Sequence, residues 1–276
     1  MAVMYGVPFV QKCARIRRVR KVALFPMAMD HYQPAETYVA WKVLKACGAR
    51  VCDAGERDTD LAFAWHPSTQ YDLDQSLVQR FQERHPVINA GCTDIRKSRV
   101  GEHFSVAFGY ALEIDPLTYD GILLRKSERN GAHDAMLLQG PLTSVEPGYV
   151  YQRCIDFETP KGIAEWRVFI VAGKIIGLYA NYRPADNRFQ TLSSSSEMCG
   201  ISDAFSAEEC AKIEQFAASM KLDLGVLDVL RDRQDGRVYV CDCNNTPTGP
   251  SEKLNRRNQL KLVHDLTEAF EAAYLK

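Results

Sequence analysis

Residues 225–250 read GVLDVLRDRQDGRVYVCDCNNTPTGP, and the fold turns on how this stretch pairs with itself. Residues 224–230 are apolar apart from Gly225 and Asp228. Residues 237–243 are rich in β-branched and aromatic side chains and carry Asp242 near their end. Gln234, Asp235 and Gly236 between them form a hairpin turn signal. Successive strand residues point to opposite faces, so Asp242 and Asn244 share one face while Cys241 and Cys243 share the other. A hairpin closing at Asp235 and Gly236 brings Asp228 near Asp242. Two carboxylates and an amide oxygen are hard donors, suited to a Mg²⁺ that also holds phosphate oxygens. The plainer alternative is a surface hairpin with solvated acids. Against it, an acid inside an apolar run needs a reason, because an unpaired buried carboxylate is costly.

The rest of the chain is long enough to build around such a hairpin. Its 276 residues are 46% hydrophobic and 25% charged, ordinary for a globular protein with room for two or three subdomains. A formal net charge of −1 gives no reason to expect nucleic acid or membrane as a partner. No apolar run reaches the roughly 18 residues of a spanning helix, and the opening residues do not have the layout of a secretion signal. The nine cysteines are scattered, with one close pair, Cys241 and Cys243, and no second pair at zinc-finger spacing. They read as reduced thiols of a cytoplasmic protein.

Upstream, strand-like runs at 21–26, 50–52, 61–65 and 87–89 alternate with helical stripes at 35–48 and 73–84. Strand, helix, strand, strand, helix, strand describes a small open α/β unit, whose C-terminal strand ends are the natural place for a ligand. A basic cluster at 15–21 precedes it and an acidic loop at 56–60 interrupts it. A helix is expected over 95–110, with Lys97 near its start. Strands follow at 121–126 (GILLRK), 136–138 and 149–155, separated by the polar loop SERNGAHDA. A hairpin pairs 165–171 with 175–182 and sets Glu165, Arg167 and Phe169 on one face, opposite Trp166, Val168 and Ile170. Residues 185–200 read as a long polar loop with four consecutive serines, a length that is usually functional or mobile inside a domain. Ser206 with Glu209 makes a capping box for a helix over 207–221. A long helix over 251–275, breaking near 255–258, closes the chain.

This order of parts resembles the ATP-grasp superfamily, and within it the RimK-like and glutathione-synthetase-like carboxylate–amine ligases. The motifs that carry the resemblance run from about Asn89 to Pro250: Lys97, the lysine of GILLRK, the EWRVFIVAGK hairpin, and Asp242-x-Asn244 preceded fourteen residues earlier by Asp228. The fold it implies is mixed α/β (α+β), with ATP sandwiched between two β-rich subdomains. The implied divisions are an N-terminal α/β subdomain at 1–92, a small subdomain with the phosphate-covering loop at 93–153, and a large subdomain with the metal site at 154–276.

Residue by residue, the resemblance implies that Asp228, Asp242 and Asn244 bridge Mg²⁺ to ATP, with Mn²⁺ a workable substitute. The usual middle ligand of the family is glutamate, and Asp242 is one methylene shorter. Lys126 and Lys97 match the nucleotide lysines. Residues 127–134 match the mobile loop over the phosphates, but with one glycine, Gly131, so that Ser127, Asn130 and His133 stand in as side-chain donors. Gln152, Arg153, Cys154 and Ile155 match the linker that reads adenine, with Gln152 or Asp156 reaching the amino group or ribose. Arg167 and Arg183 match arginines near the transferred phosphate. A strand arginine beside a glutamate reads equally as a plain ion pair. One position departs from the family: some of its ligases place an arginine two residues before the first metal acid, where this chain has Val226.

The activity implied is an ADP-forming ligase that activates a carboxylate as an acylphosphate for attack by an amine, with small-molecule substrates and a homodimer left open. Two alternatives stand beside it: an ATP-grasp kinase whose acceptor is a hydroxyl, and a non-catalytic nucleotide-binding protein.

Overall fold

The computed structural model describes residues 20–27, 34–54, 58–184 and 193–275. The basic cluster at 15–19, most of the loop after β1 and the acidic residue Glu56 lie outside them. In chain order the elements are β1 (Lys21–Pro26), α1 (Val39–Ala46), β2 (Arg50–Asp53), β3 (Leu61–Trp65), α2 (Gln75–Gln82), β4 (Val87–Ile88) and α3 (Lys97–Phe108). Then come β5 (Ile122–Ser127), β6 (Met136–Gln139), β7 (Tyr149–Arg153), β8 (Glu158–Thr159), β9 (Gly162–Val171), β10 (Lys174–Arg183) and β11 (Ser195–Cys199). The chain ends with α4 (Ile201–Ala204), α5 (Ala207–Ser219), β12 (Leu224–Arg231), β13 (Val238–Asn244) and α6 (Arg256–Tyr274).

Among the described residues these strands form three sheets. The first is parallel, in the order β2-β1-β3-β4. Its strands are apolar on both faces because α2 covers one and α1 the other: Phe25, Val78 and Phe81 pack on the first side, Val22, Phe63 and Leu44 on the second. The second sheet runs β11-β10-β9-β12-β13, with β8 against β9. Trp166, Val168 and Ile170 of β9 pack with α3 and α5, whereas Phe169 joins the core shared with the first sheet, α1 and α6. The alternation expected along residues 165–170 is the one observed. The third sheet, β6-β5-β7, is small and antiparallel.

Local signals account for the ends of the helices. Ser206 and Glu209 close a capping box on α5. Asp74 caps α2, accepting from the backbone of Ser76 and Leu77. The helix expected over 251–275 begins only at Arg256, because the Asn255 side chain accepts from Asn258 N–H and caps it there. Gly48, at φ 69°, ends the α1 segment.

Two expectations are corrected. The loop over 185–200 contains an edge strand: Ser195–Cys199 pairs with β10 from Leu178 to Tyr182. Serine has little intrinsic strand preference, but the Ser196 hydroxyl donates to Asn181 Oδ1 at 2.6 Å, and β10 offers a free edge. Residues 185–192 lie outside the described residues. The second correction concerns β13. Asp228 pairs with Asp242 but Val229 pairs with Val240, so Cys241 is the extra residue of a bulge. Strict alternation places Cys241 with Cys243; the bulge instead turns Cys241 into the cleft beside Asp242, while Cys243 stays fully buried.

The first and second sheets are locked together at Asn89, directly after β4. Asn89 is fully buried at φ 57°, a conformation asparagine tolerates better than most residues. Its amide donates to Leu224 O at 2.8 Å and Asn245 O at 3.1 Å. Its carbonyl accepts from Asp223 N–H at 2.8 Å and Leu224 N–H at 3.0 Å. One side chain thus ties the first sheet to both strands of the acidic hairpin. Asn89→Ala leaves these backbone groups buried without partners and is expected to lower unfolding stability by about 3 kcal/mol, read by urea denaturation followed through tryptophan fluorescence.

Candidate functional site

β12 lies between β9 and β13, and this places Asp228 in register with Arg167 on one side and Asp242 on the other. Arg167 Nη1 donates to Asp228 Oδ1 at 2.6 Å. The expected neighbour of Arg167, Glu165, instead pairs with Arg183, whose Nη2 donates to Glu165 Oε2 at 2.8 Å. Asn244 Nδ2 lies 3.4 Å from Asp228 Oδ2, and its own Oδ1 accepts from Asn130 Nδ2 at 3.1 Å. Lys97, the first residue of α3, reaches both oxygens of Asp242 from a buried position.

The charge of this group is unevenly compensated. Burial raises the Asp228 carboxyl to about 7, against the pull of the Arg167 guanidinium; the charges of Glu165 and Asp242 push it further up, and the Asn244 hydrogen bond pulls down. Burial alone works against charge on Arg167, but Asp228 beside it raises that group above its ordinary value. Asp228, Asp242 and Asn244 thus lie together on two paired strands, with Arg167 and Lys97 as the cations against the two acids. Hard oxygens from Asp228, Asp242 and Asn244, crowded in this way, fit a hard divalent cation.

A cleft opens beside these acids, with a cavity of about 170 Å³. Lys97, Lys126, Glu165, Arg183, Asp228 and Asp242 line its polar end. Lys126, near the end of β5, lines the cleft and has no salt-bridge partner among the described residues. Leu112, Leu124, Ile155, Phe157, Leu230 and Cys241 form apolar walls, with Gln152 and Arg153 at the margin. Gln152 is fully enclosed at 1% exposure, and Arg153 leans on Tyr239, donating to its hydroxyl at 2.7 Å.

Residues 131–135, including His133, also form part of the wall. The loop that carries them is held down at three points. Glu128 Oε2 accepts from Ser98 N–H at 3.0 Å, Asn130 N–H donates to Thr69 Oγ1 at 2.8 Å, and Asn130 Nδ2 reaches Asn244. The cavity beneath is smaller than the roughly 300–1,000 Å³ usual for ligand clefts.

Of the residues singled out from sequence, the cleft gathers Lys97, Lys126, His133, Gln152, Arg153, Ile155, Arg183, Asp228 and Asp242. Arg167, Asn130 and Asn244 stand behind these, joined by the hydrogen bonds above. A further three neither line it nor join that group. Ser127 turns its N–H to Asp134 within the loop, at 3.2 Å. Cys154, just past the end of β7, is not part of the lining. Asp156 is turned outward and bound by Arg233, whose Nη2 donates at 2.8 Å. Glu165 was missed as a site residue although strand alternation sets it beside Arg167. Thr69 was missed because nothing near it in sequence announces a contact 61 residues away.

No protein-family model matches the sequence, and no curated protein matches it by sequence. Solved structures do. The ATP-grasp ligase PsnB complexed with minimal precursor superposes with a TM-score of 0.60 at 13% identity, over 92% of this chain and 98% of its own. A RimK domain ATP-grasp protein from Sphaerobacter thermophilus gives 0.55 at 12%, over 93% of this chain and 100% of its own. D-alanine–D-alanine ligase from Bacillus anthracis, complexed with ATP, gives 0.55 at 13%, over 93% and 97%. At these identities the likeness is one of fold.

Behind the cleft, Glu113 pairs through its backbone with Gln152 and presses against Gly101 of α3. Its Oε1 is buried without a hydrogen bond. Burial, with the charges of Glu128 and Glu102, raises this carboxyl to about 7. The folded chain therefore holds a proton that the unfolded chain releases near pH 4.5, and stability falls as pH rises through that window to 7. Glu113→Gln is expected to stabilise the protein at pH 8 by about 1 kcal/mol, allowing for screening of a half-exposed group, with the gain vanishing as pH approaches 4.5; denaturant titrations across pH read it out.

Proposed function

We propose, from the premise that this chain has the ATP-grasp fold, that it is an ADP-forming ligase which joins a carboxylate to an amine. The observation that carries this reading is the register of β12, which sets Asp228 against both Asp242 and Arg167 at the floor of a cleft ringed by Lys97, Lys126 and Arg183. The domain divisions at 1–92, 93–153 and 154–276, and the roles below, belong to the same proposal.

A carboxylate is a poor electrophile. Transfer of the ATP γ-phosphoryl to a carboxylate oxygen releases ADP and leaves an acylphosphate. The amine nitrogen then attacks the acyl carbon, phosphate departs with the C–O bond, and the amine loses a proton. Mg²⁺ held by Asp228, Asp242 and Asn244 would offset charge on the phosphates. Lys126, without a salt-bridge partner in the cleft, holds a phosphate oxygen. The walls formed by Leu112, Leu124, Ile155, Phe157 and Leu230 take the adenine ring, with Gln152 at its edge.

Val226 is fully buried, in register with Phe169 on one side and Asn244 on the other. The guanidinium that some family members place at this position is supplied here from the adjacent strand by Arg167, with Arg183 beside Glu165. Arg183, which lines the cleft, faces the reacting carboxyl and stabilises the developing oxyanion, and Arg167 supports it from behind through Asp228. The loop carrying Asn130 and His133 withdraws to admit ATP and closes again to keep water from the acylphosphate.

The acceptor and donor are supported by the neighbours in fold, which are ligases, and this is analogy. PsnB, solved with a precursor peptide and AMPPNP, makes a peptide-borne carboxylate the second reading. Asp242→Ala and Lys126→Ala are each expected to lower turnover at least about a hundredfold with the fold retained by circular dichroism. ADP release that needs both a carboxylate and an amine supports the ligase. A phosphorylated product with no amine requirement replaces it with a kinase. ATP binding without turnover, unchanged by Asp242→Ala, replaces it with a non-catalytic nucleotide-binding protein.

A further inference from the structure

Every oxygen donor assigned above to the cation is already engaged by a positive or amide group of the chain itself. Arg167 holds Asp228, Asn130 holds Asn244, and Lys97 Nζ lies 3.1 and 3.2 Å from the two oxygens of Asp242. The lysine contact differs in kind from the arginine one. Arg167 is fixed by strand register, directly across from Asp228 on β9. Lys97 projects from the first residue of α3 on a flexible stem, its side chain 8% exposed, and it lines the same cleft as Lys126. A lysine ammonium is a compact charge on four rotatable carbons. It can leave a carboxylate for another anion in the same cleft without moving the backbone.

An ammonium on both oxygens of Asp242 and a divalent cation on the same carboxylate repel one another. With no nucleotide in the cleft, the cation has to displace Lys97 into a poorly solvated space already facing Lys126 and Arg183. Once phosphates occupy the cleft, their negative charge accommodates both the ammonium and the metal.

We propose that Lys97 is an exchangeable counterion: it neutralises Asp242 in the nucleotide-free protein and moves to phosphate when the nucleotide enters, so that the divalent cation is admitted with the nucleotide and not ahead of it. This rests on the metal and nucleotide reading of the cleft given above. It makes metal and nucleotide affinities mutually dependent, by the same factor from either side. Asn130 acts in the same sense, since metal capture of Asn244 Oδ1 releases an amide belonging to the loop over the cleft.

The test uses Mn²⁺ as a spectroscopic probe on the full chain. Free Mn²⁺ is followed by electron paramagnetic resonance in titrations of the nucleotide-free wild type, Lys97→Met and Lys97→Gln. Binding of a fluorescent non-hydrolysable ATP analogue is measured in parallel. Both substitutions are expected to tighten Mn²⁺ binding in the absence of nucleotide by about tenfold, the worth of one charge-assisted contact, and to weaken binding of the analogue without metal. Lys97→Arg, which keeps the charge, is expected to bind Mn²⁺ as weakly as the wild type. Wild type that binds the analogue, together with neutral variants whose Mn²⁺ affinity is unchanged, overturns the exchange and leaves the reading of the cleft standing. Wild type that binds no analogue even with Mn²⁺ overturns both.

Discussion

A buried acid needs a partner, and Asp228 has two neighbours of opposite kind. Because β12 is flanked by β9 and β13, Arg167 and Asp242 arrive on either side of it in the same register. Burial lifts the Asp228 carboxyl to about 7 against the pull of the Arg167 guanidinium, and the charges of Glu165 and Asp242 add to the rise. The tension is resolved by bringing cations to the spot: Lys97 from α3, Arg183 from β10 and Lys126 from the small sheet. Each acid at the floor thus has a cation of the chain against it, and Lys126 adds a further positive charge to the cleft wall.

The rest of the architecture keeps this group in place. Three sheets contribute, each built from its own stretch of the chain. Asn89 fastens the first sheet to Leu224 and Asn245, immediately flanking the two acidic strands. α3 packs on the face of the second sheet opposite Phe169, and so delivers Lys97 to Asp242 from a rigid element. The loop after β5 reaches Thr69 and Ser98, closing the third sheet onto the other two. Positions that need precision sit on strands or on the first turn of a helix. Asn130 sits instead on a loop held by single hydrogen bonds to Thr69, Ser98 and Asn244.

Much of this was legible in the residues, because strand pairing and capping are local. The hairpin at 225–250, the alternation of Glu165, Arg167 and Phe169, and the capping box at Ser206 depend on neighbours a few positions away. Where the local rule failed, the cause was longer in range. Cys241 turned into the cleft because a bulge shifted the register by one residue. Ser195–Cys199 became a strand because β10 had an open edge beside it. Asp156 left the cleft wall because Arg233, 77 residues on, binds it at the surface.

The amino-acid sequence by itself determined the element order, the hairpin with its two acids, and the set of lysines and arginines from which a phosphate site could be drawn. Period and spacing carry that information without reference to the rest of the chain. Only the tertiary structure decided which charge faces which. Arg167 belongs to Asp228, Arg183 to Glu165 and Lys97 to Asp242, while Lys126 has no salt-bridge partner among the described residues. These pairings join residues 18 to 145 positions apart. Coulomb energy depends on distance through space, which strand order and the packing of α3 set, and no pattern along the chain encodes it.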